Sequence, residues 1–132
     1  MDLDIDHLRG WIGNSETISE RLAPQLVERF NATLDIEEDA VAGAEAPQMI
    51  HFCLAQPVAP ASRLGQDGHP KRGGFLPPVS LPRRMWAGGE ITFHAPLVID
   101  EIVTRTSRID DVEVKQGRSG TLCFVTVVHE YT

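Results

Sequence analysis

The chain has 132 residues, of which 42% are hydrophobic and 23% charged, and its formal net charge at pH 7 is −7. This length fits one domain and leaves no room for a second full core. No stretch approaches the roughly 20 apolar residues that a membrane-spanning helix needs, so we expect no membrane partner. The net negative charge also argues against nucleic acid as a partner.

Cysteine use and the first residues indicate a cytoplasmic protein. Two cysteines are too few for a disulfide scaffold or a zinc finger, and no tight cluster of metal ligands is present. The acidic start of the chain lacks the basic-then-apolar pattern of a signal peptide. We therefore expect a reducing compartment, no metal and no cofactor.

Two amphipathic helices are predicted in the first third of the chain. The apolar residues of 5–12 recur at helical spacing, and either Asp4 or Asp6 can cap the N-terminus. A second helix is clearer, with Pro24 in its first turn, where proline is tolerated. Its apolar face consists of Leu22, Leu26, Val27, Phe30 and Leu34. The acidic residues 35–39 that follow indicate a solvated connection.

The composition changes sharply after the third apolar segment. We predict a short buried helix over 49–55, because Pro47 suits a helix start and Pro57 a helix end. Residues 57–89 then contain six prolines and six glycines, so regular strands cannot run through them. Several large apolar residues in this stretch favour an ordered functional loop over a disordered linker.

The last third predicts three strands, at 90–98, 102–109 and 121–131. The third is apolar on both faces, which is typical of a central strand covered on both sides. Asp110-Asp111 marks a break after the second strand, and residues 115–120 supply the turn before the third. The whole chain, 1–132, therefore predicts a single α+β domain with an antiparallel sheet after the helices.

The Gly/Pro-rich loop carries a specific resemblance to a known family. Its two runs are LGQDGHPKRGGFLPP, from Leu64 to Pro78, and LPRRMWAGG, from Leu81 to Gly89. With His51-Phe52-Cys53-Leu54, these runs resemble the N-terminal half of the MaoC-like, double-hot-dog acyl-thioester dehydratases. That family includes mesaconyl-CoA and itaconyl-CoA hydratases and type 2 hydroxyacyl-thioester dehydratases. The resemblance implies a hot-dog fold, in which an antiparallel sheet wraps around a central helix.

The resemblance also implies an activity, that of a hydro-lyase acting on enoyl or 3-hydroxyacyl thioesters of CoA or acyl carrier protein. In such enzymes a carboxylate and an imidazole position water for addition to the double bond. The family's signature for this pair is Asp-x-Asn-Pro-x-His. The aligned stretch starts at Asp35, but Ala40 occupies the histidine position. The resemblance therefore implies the non-catalytic half, which forms one wall of the substrate tunnel.

The end of the sequence bears on partners. A hot-dog sheet normally has one more strand than the sequence supplies before His129-Glu130-Tyr131-Thr132. We expect this last strand to be missing, which leaves a sheet edge for another chain to cover. The expected partners are a second copy in a homodimer, or a catalytic hot-dog domain or subunit, together with the acyl-CoA substrate.

Candidate site residues cluster in the Gly/Pro-rich loop. For substrate binding they are His69, Arg72, Arg83, Arg84, Trp86, Gly88 and Gly89. The arginines match the phosphates of CoA, or else form a solvated face or pair with the acidic first third. Trp86 is interpreted as filling the junction of sheet and loop, with a tunnel wall as the alternative. Asp67 is interpreted as a turn residue that binds its own backbone rather than as a catalytic partner of His69.

Three other functions stay open. One is a self-sufficient dehydratase built on Asp35 and His69, another is a hot-dog thioesterase, and the third is a non-catalytic acyl-CoA-binding or scaffold dimer. A nucleophilic pair of His51 and Cys53 is disfavoured, because cysteine in an apolar segment is usually an inert core residue. The same interpretation applies to Cys123.

Overall fold

The structure is a computed structural model that describes residues 3–132; Met1 and Asp2, which begin the acidic N-terminal segment, lie outside the described residues. Its elements are helix α1 (Ile5–Arg9), strand β1 (Ser15–Arg21), helix α2 (Pro24–Thr33), two 3-10 helices (Ile50–Cys53 and Ala61–Arg63), strand β2 (Ile102–Gly117) and strand β3 (Gly120–Tyr131). Neither α-helix is long and apolar enough to span a membrane, and the described residues contain no other candidate.

The three strands form one sheet in the order β1-β2-β3. Thr104 of β2 and Thr132 exchange two backbone N–H···O bonds of 2.8 and 2.9 Å, which is the pattern of an antiparallel hydrogen-bonded pair. The predicted α+β class is confirmed. Among the described residues the sheet is antiparallel and not closed, which is consistent with a hot-dog fold.

The described chain falls into two compact units, each with its own hydrophobic core. The first unit comprises residues 3–16, 57–89 and 106–129, and the buried residues of its core cluster are Leu8, Ile109 and Val112. The second unit comprises residues 17–56, 90–105 and 130–132. Its largest buried apolar residues are Leu22, Val27, Ile50, Leu54, Ile99 and Val103. Removing each such side chain from water contributes about 1.5–3 kcal/mol to folding.

The first predicted helix is shorter than its apolar pattern indicates. Asp4 caps α1 as predicted, because its carboxylate accepts a hydrogen bond from the backbone N–H of His7 at 3.0 Å. The helix ends at Arg9, and Gly13 then adopts a φ of +90°, which glycine tolerates. The N–H of Gly13 donates to the carbonyl of Ile109 at 2.8 Å. β1 begins two residues after Gly13, and the sequence did not predict this strand.

The third predicted helix forms only a single 3-10 turn over Ile50–Cys53. Ile50 and Leu54 face the core of the second unit, whereas Phe52 and Cys53 are exposed. The interpretation of Cys53 as a core residue is therefore wrong. A turn of four residues can bury only one narrow face, so the middle of this apolar segment is left at the surface.

The predicted strand over 90–98 is not formed. Pro96 removes a backbone donor from this run, so a regular ladder cannot continue through it. What remains is an isolated antiparallel bridge between Glu45 and Val98, and a 2.7 Å bond from the N–H of Ala46 to the carbonyl of Leu97.

The other two predicted strands are formed, but the third is not the central one. β2 continues through the expected break at Asp110-Asp111, where Asp110 pairs with Arg108 at 2.7 Å and Asp111 pairs with Arg9 at 3.3 Å. β2 lies in the middle of the sheet and β3 at its edge, so the prediction of a central β3 is wrong. On β3, Leu122 and Val128 remain partly exposed.

Candidate functional site

A tight turn opens the Gly/Pro-rich loop and positions Asp67 and His69. The N–H of Gly65 donates to the carbonyl of His69 at 2.7 Å, and the N–H of Gly68 donates to the carbonyl of Gly65 at 3.1 Å. Gly68 has a φ of +78°, a conformation that glycine adopts without strain. The Asp67 carboxylate accepts the N–H of His69 at 3.1 Å, so Asp67 is the turn residue that the sequence predicted.

Arg72 fixes a second part of the loop from inside. Its Nη1 atom donates to the carbonyl oxygens of Val79 at 2.7 Å and of Leu81. These two hydrogen bonds therefore tie residues 79–81 to Arg72. Its Nη1 atom is therefore engaged with backbone carbonyls.

Asp67 also contacts the side chains of Arg84 and His69. Its Oδ2 atom lies 3.4 Å from Nε of Arg84 and 3.5 Å from Nδ1 of His69. The pKa of Asp67 lies below its ordinary value, chiefly because its carboxylate accepts the hydrogen bond from the His69 backbone. Desolvation opposes this shift, and the charges of Arg84, His69 and Arg72 add to it. Asp67 is therefore a carboxylate, not a proton donor, at neutral pH.

An open groove of about 510 Å³ lies beside this cluster, and it is lined by Asp67, His69, Arg84, Met85 and Trp86. Trp86 is 74% exposed and Met85 is 80% exposed. The interpretation of Trp86 as a filler of the junction between sheet and loop is therefore wrong. Its ring lies over Gly89, where an added Cβ would be 3.1 Å from Cζ2 of Trp86. A side chain at Gly89 would require the indole to shift by a few tenths of an ångström.

The structure brings together some of the predicted binding residues and separates others. His69, Arg84 and Trp86 share the groove, and Gly89 supports the indole ring. Arg72 is directed inward, whereas a Cβ at Gly88 would have open space around it. Met85 lines the groove but was not predicted. The sequence feature that could have predicted Met85 as a groove residue is its position between Arg84 and Trp86 in an irregular loop.

Two residues discussed for catalysis belong to different units. Asp35 follows α2 in the second unit, is exposed and has a φ of +58°. Ala40, at the position of the family's histidine, packs against the second core. His69 lies in the first unit, on the turn described above. Asp35 therefore has no imidazole at the position where the family signature places one.

The other histidine and cysteine candidates have their own surroundings. The ring of His51 contacts Phe52, Phe93 and Tyr131, and burial lowers the pKa of His51. His129 is exposed, and its Nδ1 atom lies 2.6 Å from the hydroxyl of the buried Ser107. The exposed Cys53 has no described contact with the His51 ring.

A titration tests the electrostatics of the Asp67 cluster. Because the pKa of Asp67 is depressed in the folded protein, its stabilisation is complete above the unfolded value of about 4 and is lost as the pH falls through the folded value. We expect carbonyl-detected NMR to give an Asp67 midpoint below about 3.9. In Arg84→Gln the midpoint should rise only partly, since the His69 N–H remains. A wild-type midpoint at or above the ordinary value would contradict this geometry.

Comparison with known proteins identifies the family. Residues 48–132 match the profile of the family described as hydroxyacyl-thioester dehydratase type 2. A curated relative, mesaconyl-C(4)-CoA hydratase from Chloroflexus aurantiacus, is 41% identical over 121 residues, which are 91% of this chain and 43% of the relative. The chain thus spans less than half the length of this relative. The resemblance seen in the loop is confirmed, and the chain belongs to the hydroxyacyl-thioester dehydratase type 2 family.

Proposed function

We propose that this chain is the non-catalytic, substrate-binding hot-dog domain of a hydratase or dehydratase that acts on enoyl or 3-hydroxyacyl thioesters. The observation that carries the proposal is the combination of family membership with the missing histidine of the signature. The curated relative is named mesaconyl-C(4)-CoA hydratase, and this chain matches 43% of its length. The hydratase named in this relative supports a hydro-lyase function. The partial coverage of the relative supports a role as one domain of a larger catalytic unit.

The chemistry of hydration explains why the missing histidine matters. Addition of water to an enoyl thioester needs a base to take a proton from water and an acid to supply one to the substrate carbon. Here the first signature position, Asp35, is an exposed carboxylate, and the last position, Ala40, has no titratable group. One carboxylate without its imidazole partner does not supply both proton transfers. The acid–base pair would then come from another domain.

The exposed edge of the sheet supports a role in pairing. β3 is an edge strand of twelve residues, and Leu122 and Val128 on it are 41% and 43% exposed. Unpaired edges with apolar side chains promote association with another strand. The partner that fits this edge is a strand of a catalytic hot-dog domain, or the same strand of a second copy. In both cases the sheet would continue across the interface.

A turnover assay tests the non-catalytic role. The chain alone is expected to give no hydration of crotonyl-, mesaconyl- or itaconyl-CoA above the uncatalysed rate, measured by the loss of enoyl-thioester absorbance. A separate hot-dog protein that carries Asp-x-Asn-Pro-x-His should gain turnover when this chain is added.

Two variants identify what would contradict the proposal. Turnover by the chain alone that survives Asp35→Ala would show a catalytic site unrelated to the signature. Turnover that is lost in Asp35→Ala or His69→Ala would instead support a self-sufficient dehydratase. Release of free thiol without loss of the double bond, detected with a thiol reagent, would support a thioesterase.

A further inference from the structure

Besides the edge of β3, the second unit contains another run of backbone without a neighbouring strand. Residues 90–93 have no regular secondary structure, and within the part of the chain that the structure describes no backbone–backbone hydrogen bond reaches them. Ile91 and Phe93 are 44% and 45% exposed, and they alternate with Glu90 and Thr92. Such alternation of apolar and polar residues is the pattern of a strand that is covered on one face. This run therefore has the sequence of a strand but no partner for its main chain.

The backbone of Tyr131, at the end of β3, also has hydrogen-bonding groups directed away from its neighbour. Thr132 uses both its N–H and its carbonyl in bonds with Thr104 of β2. Because these groups alternate in direction along an antiparallel strand, the N–H and carbonyl of Tyr131 point to the side opposite β2. No described strand lies on that side, since β3 is at the edge of the sheet.

The imidazole of His51 places these two backbones about two strand spacings apart. Its ring centroid lies 6.1 Å from that of Phe93 and 5.1 Å from that of Tyr131, so those two rings are at most about 11 Å apart. Side chains stand roughly perpendicular to a sheet, so ring spacing follows strand spacing. One strand inserted between two neighbours separates them by about 10 Å, whereas two inserted strands need about 14 Å. The spacing leaves room for one strand.

The charge of the second unit indicates the chemistry of that strand. The unit contains eleven acidic residues and three arginines. Of these arginines, Arg105 is buried and Arg21 pairs with Asp100. Glu90 beside the first backbone and Glu130 beside the second are both exposed. A strand with lysine or arginine at its polar positions would be attracted to this unit, and an acidic strand would be repelled.

We propose that residues 90–93 and the end of β3 at residues 130–131 together bind a single β-strand of a basic partner polypeptide. The main chain of that strand would bond to both flanks, and its apolar side chains would cover Phe93 and Tyr131. This inference rests on the pairing role proposed for the edge of β3, and it adds the second flank and the charge of the partner.

A second copy of this chain does not meet these requirements. The strand that fills the site must be free on both of its edges, whereas β3 of a second copy already has β2 on one side. The second unit of that copy would also carry the same excess of acidic residues, so the two units would repel each other.

Titration of the full chain with synthetic peptides tests the site. The probe is KVKVKVK, in which lysine and valine alternate. EVEVEVE reverses its charge, and KGKGKGK keeps its charge without apolar side chains. We expect calorimetry to show binding of KVKVKVK, and hydrogen exchange to slow both at residues 90–93 and at Tyr131. The two control peptides should bind much more weakly, and added salt should weaken the binding of KVKVKVK.

Charge reversal on the two flanks locates the binding. In Glu90→Lys/Glu130→Lys the affinity for KVKVKVK is expected to fall about tenfold, because two attractive contacts are replaced by repulsive ones. Glu37→Lys/Glu38→Lys makes the same change of net charge in the acidic segment after α2, and it should leave the affinity nearly unchanged. All four glutamates are exposed, so both variants are expected to fold, as circular dichroism would show.

Several outcomes would overturn the inference. They are no binding of KVKVKVK, equal binding of KVKVKVK and EVEVEVE, equal loss of affinity in the two double variants, and slower exchange at Tyr131 without any change at residues 90–93. Dimerisation of the chain without peptide, with residues 90–93 protected, would overturn it by assigning the site to a second copy. The turnover assay is separate, because hydration by the chain alone contradicts the non-catalytic role whether or not the peptide binds.

Discussion

Leu54→Ala is expected to lower the free energy of unfolding by about 2–5 kcal/mol, which is the cost of deleting a large buried side chain and leaving a cavity. Leu54 is fully buried in the core of the second unit, in the same cluster as Leu22, Val27 and Ile50. It follows directly after the 3-10 turn of Ile50–Cys53. Urea unfolding followed by circular dichroism measures the effect.

A matched control lies four residues further along the chain. Val58 is 96% exposed, so Val58→Ala removes apolar atoms that already contact water. Its expected effect is within about 0.5 kcal/mol. If Leu54→Ala were no more costly than Val58→Ala, the assignment of the 49–55 segment to the core would be wrong.

Arg72→Ala is expected to cost about 2–3 kcal/mol in the free energy of unfolding, because hydrogen bonds from charged donors contribute about 1.5–3 kcal/mol and this side chain is only half-buried. The substitution leaves the carbonyls of Val79 and Leu81 without the donor that holds them. The same measurement on Lys71→Ala, which removes an exposed neighbouring cation, should show little change.

A second substitution at this position separates structure from ligand binding. Arg72→Lys keeps the positive charge but replaces the guanidinium with a single ammonium group, so it should recover only part of the lost stability. Hydrogen exchange at residues 73–81 should accelerate in Arg72→Ala without any ligand present. Full stability of Arg72→Ala in the absence of CoA would instead favour a role in phosphate binding.

The loop has a recognisable sequence pattern because the conformation of an irregular segment depends strongly on its glycine, proline and charged residues. The family could therefore be predicted from the loop. The turn at Asp67 is an example, since the aspartate, Gly68 and His69 form its hydrogen bonds among themselves. The cap of α1 by Asp4 is local in the same way. These features depend on neighbours in the chain, so the sequence pattern alone predicts them.

The errors have a common physical cause, which is that burial depends on distant segments. Trp86 is a large aromatic residue and was expected to fill the junction of sheet and loop. It is instead exposed to solvent and lines a groove. The apolar pattern of β3 predicts a strand covered on both sides, but no described strand lies beyond it. An apolar pattern of this kind therefore does not distinguish a core from a surface that another molecule covers.

The sequence by itself determined the α+β class, the second helix, the turn at Asp67, the family and the absence of the signature histidine. Only the tertiary structure decided that Arg72 is directed at backbone carbonyls, and that Arg84, seventeen positions from Asp67 in the chain, pairs with it beside Trp86. The reason is that the type and spacing of a residue limit only the kinds of group that it can bind. Which partner it contacts depends on how the irregular loop folds back on itself. In this chain that loop brings a fixed cation and an exposed indole to the same groove.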